Sequence, residues 1–216
     1  INPFEVLEQH KNSVTFVQRS DENTKRDFPF DYELKIKYTI NGDTVTNEYI
    51  VTNTGEDKLP FVIGGHPAFN CPLAKGEKFE DYKVVFDKNI TKPCLRPDHH
   101  TGLVNVFEKF DEMHGGDTLS LVHELFEEKD ALIFENCEAK SATLIGKSGK
   151  GVKIEFQDMN NLLIWSAVGN APFVALEPWT GLASCNDEDG LFEHKRGMTV
   201  LEKDETASFK FKITMI

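Results

Sequence analysis

The sequence predicts an all-β fold, a large antiparallel sandwich or barrel. Three observations carry this: many short strand-like runs spaced by roughly 8–12 residues, turn residues between them, and almost no helical periodicity. With 39% hydrophobic and 11% aromatic residues, 17 of them Phe, the 216-residue chain can bury a substantial layered core. No repeat, low-complexity segment or linker interrupts it, so residues 1–216 are expected to form a single domain.

The strands follow in order. Glu5 to Leu7 and Ser13 to Arg19 read as strands, so the chain begins inside a sheet, which predicts truncation at the N-terminus. Ser20 to Arg26 is a polar loop, closed by Phe28-Pro29-Phe30. Glu33 to Ile40 alternates strictly, Asn41-Gly42-Asp43 supplies a tight hairpin turn, and Thr44 to Thr52 returns. Next come Tyr82 to Phe86, a loop over Lys92 to Leu103, and a turn at His114-Gly115-Gly116-Asp117. Leu119 to Phe126 fits either a strand or one helical turn. Ala131 to Phe134, Ser141 to Ile145, Val152 to Gln157, Leu162 to Ala167 and Phe173 to Leu176 are further strands. Residues 182–197 are irregular, and Met198 to Val200 and Ala207 to Ile213 complete the pattern.

Charge narrows the function classes. Lys+Arg 24 against Asp+Glu 36 gives a net charge of −12, which repels phosphate backbones and anionic bilayers alike. Neither nucleic acid nor membrane is an expected partner. Cys71, Cys94, Cys137 and Cys185 are widely spaced with no C-x-x-C pair, and no signal peptide or spanning apolar run occurs. Reduced thiols and a cytoplasmic location are the default expectation.

Two strand ends stand out. Phe61-Val62-Ile63 runs into Gly64-Gly65-His66-Pro67, followed by Phe69 and Asn70. The glycines permit close backbone approach and Pro67 restricts His66, so a proton-transfer group is held still. A turn-capping core histidine is the competing reading. The other six histidines lie in polar surroundings, except His123, which reads as structural. Glu177 ends the apolar run Phe173 to Leu176, just before Pro178 and Trp179. A carboxylate there is costly without a partner or a purpose. A salt-bridged glutamate at a sheet rim would equally satisfy the pattern. Trp179 offers an aromatic face to a sugar or apolar surface.

Other chemistries fit less well. Zinc would want paired ligands such as H-x-x-x-H or C-x-x-C, and no G-x-S-x-G elbow or P-loop occurs. A Cys71 nucleophile paired with His66 is the weaker alternative, because nothing nearby would lower a thiol pKa.

Taken together, Gly64-Gly65-His66-Pro67-Ala68-Phe69-Asn70, Ala131 to Phe134 after Asp130, and Leu176-Glu177-Pro178-Trp179-Thr180-Gly181 resemble the aldose 1-epimerase (galactose mutarotase-like) family, most closely its LacX-like branch. The resemblance spans essentially the whole chain. It implies a galactose mutarotase-type β-sandwich (supersandwich) that interconverts the α and β anomers of a galactose- or glucose-type hexose without metal or cofactor. By the same match, His66 gives a proton to the ring oxygen and Glu177 takes one from the C1 hydroxyl. Asp130 corresponds to a carboxylate that binds a sugar hydroxyl, and Phe69, Asn70 and Trp179 are expected beside the pocket. The family's upstream His-Gly-Phe-type motif, with a second histidine and an arginine, has no match here, which again predicts a fragment with impaired catalysis and exposed strand edges. A phosphorylated hexose would require Lys or Arg near the pocket, with Arg96 and Arg196 as candidates. A silent sugar-binding protein on the same sandwich, and a β-rich interaction module with structural His66 and Glu177, are the alternatives.

Overall fold

The computed structural model describes residues 2–98, 100–127 and 130–216. Seventeen strands occur among them: β1 (Glu5–His10), β2 (Ser13–Arg19), β3 (Tyr32–Asn41), β4 (Thr44–Asn53), β5 (Leu59–Phe61), β6 (Ala68–Asn70), β7 (Tyr82–Phe86), β8 (Cys94–Pro97) and β9 (Val104–Phe110) in the first half. The second half contributes β10 (Thr118–Ser120), β11 (Leu132–Phe134), β12 (Ser141–Gly146), β13 (Gly151–Glu155), β14 (Asn161–Trp165), β15 (Phe173–Trp179), β16 (Thr199–Leu201) and β17 (Thr206–Met215). One short helix, α1 (Glu124–Glu127), and three 3₁₀ turns are the helical content of these residues. None is long and apolar enough to cross a membrane.

A nine-stranded sheet runs β1-β2-β3-β4-β17-β13-β12-β7-β10, and a six-stranded sheet runs β6-β15-β14-β11-β8-β9. β16 and β5 form a separate pair. The pairings are antiparallel, and the hairpin β3–β4 shows why: period-two alternation on both sides of Asn41-Gly42, with Gly42 at φ 57°.

The principal core lies between the two large sheets. Tyr49, Tyr82, Val84, Phe86, Leu144, Ile154 and Phe211 meet Leu132, Phe134, Leu162, Ile164, Val174 and Leu176 from the other sheet. The six-stranded sheet also covers its far face, where Leu95, Ile133 and Leu163 pack with Val104, Leu182 and Cys185. Its strands are therefore apolar on both sides, which explains the near-continuous apolar runs in β14 and β15. Odd positions of β15 (Ala175, Glu177, Trp179) point to that far face, because Val174 and Leu176 point into the core.

Two sequence expectations change. The loop expected over Lys92 to Leu103 contains β8, whose Cys94 and Leu95 are buried on opposite faces of the sheet. Its flanking Pro and Gly residues mask a four-residue strand. The ambiguous stretch 119–126 is both things in turn, the end of β10 and then α1.

Candidate functional site

Residues 63–70 lie antiparallel along β15 and its continuation. The Thr180 N–H donates to the Ile63 carbonyl (2.9 Å), the Gly65 N–H to Pro178 (3.0 Å), and the Leu176 N–H to Pro67 (3.1 Å). β6 then pairs in register, Ala68 with Ala175, Phe69 with Val174 and Asn70 with Phe173. This zipper brings residues more than a hundred positions apart side by side. His66 comes to lie across from Glu177, with its Nδ1 3.4 Å from Glu177 Oε1.

Both glycines are needed for the fit. A Cβ on Gly64 would run into Cδ1 and Cγ of the Trp179 indole, and one on Gly65 would stand 2.6 Å from Phe211 Cε1 and 3.2 Å from the Tyr49 hydroxyl. The apolar strand end thus presses against the nine-stranded sheet on one side and the Trp179 ring on the other. Trp179 returns a hydrogen bond, its indole N–H donating to the Gly65 carbonyl at 3.1 Å. Thr180 closes the joint, its hydroxyl accepting from the Ile63 N–H (2.9 Å) and donating to the Ile63 carbonyl (3.0 Å). Buried Asn161 donates to the carbonyls of Thr180 (3.1 Å) and Gly181 (3.0 Å), fixing the chain beyond Glu177.

The two groups have opposite surroundings. The Glu177 side chain is 4% exposed and that of His66 59% exposed. Burial raises the Glu177 pKa to about 7, the negative charge of Asp130 adds to the rise, and the Trp179 indole N–H pulls the other way. A carboxyl group in that range can both take and give a proton near neutrality. His66 Nδ1 faces Glu177, which leaves Nε2 as the nitrogen available to a ligand. The Trp165 ring meets the imidazole edge to face, with centroids 5.6 Å apart and planes at 80°.

His66 and Glu177 open onto a cleft of about 320 Å³, lined also by Val62, Ile63, Gly64, Gly65, Trp179, Gly181, Leu182 and Ala183. Of the sequence-predicted residues, His66, Glu177 and Trp179 line this cleft together. Asp130 stands beside it. Its backbone adopts φ 56°, its Oδ1 accepts a hydrogen bond from the Trp165 indole N–H at 2.5 Å, and its charge reaches Glu177. Phe69 is placed differently from expectation: it packs against the principal core, since its strand position turns it away from the His66 face. Asn70 shares the face of His66 but is exposed, two rows further along β6, outside the cleft lining.

Other candidates resolve into structural roles. Arg196 pairs with Glu135 at 3.3 Å and with Asp187, and Arg96 is buried, donating to Glu112 and the Leu125 carbonyl, each at 2.8 Å. The Cys71 thiol is buried in the core and pushed up to about 12 by that burial, far from a thiolate nucleophile. His123 stacks on Phe79 with ring centroids 3.9 Å apart. Trp165 and Asn161 are site residues that sequence reasoning did not single out. The register of β14 beside β15 puts Leu163 and Trp165 on the face of Glu177, and the near-continuous apolar run of β14 carries no sequence signal of it.

Similarity to known proteins identifies the family and the fold. The family model described as aldose 1-epimerase matches residues 2–214. The plasmid and chromosomal LacX proteins of Lactococcus lactis subsp. lactis are each 36% identical over 217 residues, covering 99% of this chain and 72% of theirs. A galactose mutarotase related enzyme from Lactobacillus acidophilus superposes with a TM-score of 0.89 at 27% identity, over 100% of this chain and 71% of that one. A galactose mutarotase-like protein from Lactobacillus casei gives 0.86 at 28% identity, over 99% and 73%. The β-sandwich is thus of the galactose mutarotase type, and the chain belongs to the aldose 1-epimerase family.

Proposed function

We propose that this protein is an aldose 1-epimerase that interconverts the α and β anomers of a free hexose. The observation that carries the reading is the pairing of a buried carboxyl poised near pH 7 with a histidine 3.4 Å away, on one cleft. The two oxygens that exchange protons in mutarotation, the C1 hydroxyl and the ring oxygen, are both bonded to C1. An acid and a base on one cleft can therefore act on both.

In this mechanism ionised Glu177 removes the C1 hydroxyl proton while protonated His66 delivers one to the ring oxygen. The C1–O5 bond breaks and leaves the open-chain aldehyde. Rotation about C1–C2 presents the other carbonyl face. His66 then takes the proton back from the O5 hydroxyl as that oxygen attacks C1, and Glu177 returns its proton to the former carbonyl oxygen. Both groups end as they began, so turnover needs no external donor. The Trp179 ring beside the cleft offers an apolar face to the sugar's C–H surface. Asp130 is assigned to a sugar hydroxyl.

A neutral hexose fits better than a hexose phosphate. Among the described residues that line the cleft none is Lys or Arg, Glu177 and nearby Asp130 are acidic, and the side chains of Arg96 and Arg196 are engaged with acidic partners. We place the reaction in the cytoplasm, as expected for a chain whose four cysteines are buried free thiols. Residues 1–216 are taken as one domain.

Polarimetry on freshly dissolved α-glucose and α-galactose tests the proposal. Rotation should reach its equilibrium value faster with protein than in matched buffer. Rates equal to the buffer control, with sugar still bound, would replace the enzyme by a sugar-binding protein.

A further inference from the structure

Trp165 joins two members of the site that no backbone pairing connects. Its indole N–H donates to Asp130 Oδ1 at 2.5 Å, a short charge-assisted bond. Its ring meets the His66 imidazole edge to face at 5.6 Å on one side and Phe173 at 5.5 Å on another. The register of β14 against β15 sets Trp165 opposite Ala175 and Leu163 opposite Glu177, so Trp165 and Glu177 are diagonal neighbours on one sheet face.

Asp130 is held from its other end too. Its N–H donates to the Phe126 carbonyl at 3.2 Å, and Arg96 grips the preceding carbonyl, that of Leu125, at 2.8 Å. Glu127 on α1 accepts from the Gly169 N–H at 2.8 Å, which ties the α1 turn to the loop after Trp165. The main chain on both sides of the Asp130–Trp165 bond is therefore fixed. One carboxylate oxygen is engaged, and Oδ2 accepts no hydrogen bond from a described residue.

We propose that Trp165 is a positioning residue for sugar recognition: it holds Asp130 Oδ1 so that Oδ2 meets a substrate hydroxyl, and its ring sets the plane of His66. The proposal rests on the mutarotase reading above, in which Asp130 binds the sugar. Left without the indole donor, a half-buried carboxylate close to another acidic group would swing away from Glu177 towards water.

The test compares Trp165→Phe, Asp130→Ala and the double variant on parent hexoses and a panel of their monodeoxy analogues. Trp165→Phe retains a ring for His66 and Phe173 but removes the donor. It should lower kcat/KM by about tenfold, mainly through KM, as expected for loss of one charge-assisted hydrogen bond. It should also lose discrimination against the same deoxy sugar that Asp130→Ala stops discriminating. The double variant should be no worse than Asp130→Ala. Wild-type KM and wild-type deoxy discrimination in Trp165→Phe, or fully additive losses, would overturn the assignment even if its unfolding midpoint falls.

If wild-type protein accelerates no hexose in the panel, the mutarotase reading fails, and the Trp165 indole proton resonance decides the rest. In the Glu177→Gln protein, titrated with each hexose, movement of that resonance supports the positioning role. A resonance unmoved by all of them overturns it.

Discussion

Glu177 holds its carboxyl group 3.4 Å from the Nδ1 of His66 while keeping only 4% of its side chain exposed. The pair is therefore asymmetric, one member dry and one wet. The dry member is the one whose protonation the fold controls.

Loss of either member should stop proton transfer without dismantling the sandwich. His66→Ala and Glu177→Gln are each expected to reduce the mutarotation rate by about 10²–10⁴, the usual contribution of a general acid or base. Polarimetry measures the rate, and circular dichroism verifies that both variants remain folded. A decrease explained entirely by unfolded protein would reassign both residues to structural roles.

The acid limb of the pH–rate profile should follow Glu177. Its pKa of about 7 means the base of the free protein is progressively protonated below neutrality, so kcat/KM falls as pH drops through that value. The Asp130 charge contributes to the rise, so Asp130→Asn should move the limb to lower pH. A limb that stays in place would show that Asp130 is not felt at Glu177.

The same shift has a cost in stability. The folded pKa of Glu177 lies above its ordinary 4.5, so the protonated form favours folding. This contribution is fully present below about pH 4.5 and is lost as pH rises through 7. Glu177→Gln removes the penalty and should be more stable than wild type at pH 8 by roughly 3 kcal/mol, with the difference vanishing near pH 4. Urea unfolding at the two pH values measures it. A variant destabilised equally at both would mean that the carboxylate is held by a compensating partner.

The two glycines should fail in different ways. Gly64→Ala meets the Trp179 indole, which lines the cleft and holds the Gly65 carbonyl, so activity should fall further than stability. Gly65→Ala meets Phe211 and Tyr49 in the core, so its cost, about 1–3 kcal/mol by overpacking, should appear mainly in the unfolding midpoint. Parallel denaturation and polarimetry separate the two.

The fold was readable where local rules were strict. The alternation of 33–40 and 44–52 around Asn41-Gly42 gave β3 and β4 to within a residue or two at each end, because register and turn chemistry agree there. β8 was hidden because three buried residues and a half-buried proline, set among Pro, Gly and His, carry no visible period. His66 and Glu177 were conspicuous as polar groups ending apolar runs, but only the family's motifs linked two positions so far apart. The Asp130–Trp165 contact was invisible, since it depends on how β14 aligns beside β15 and on a left-handed turn at a non-glycine residue. Phe69 was misplaced by proximity in sequence: three residues along a strand is the opposite face.

The zipper between residues 63–70 and β15 has a mechanical meaning. Acid and base ride on two backbone segments cross-linked at Ile63–Thr180, Gly65–Pro178 and Pro67–Leu176. Thermal breathing of the sandwich therefore displaces both as a common mode and leaves their separation almost untouched. The cleft walls at 182–183 continue the chain past Thr180 and Gly181, beyond the last of these cross-links. Substrate choice can drift by remodelling those walls while the spacing that governs proton transfer is conserved by the backbone itself.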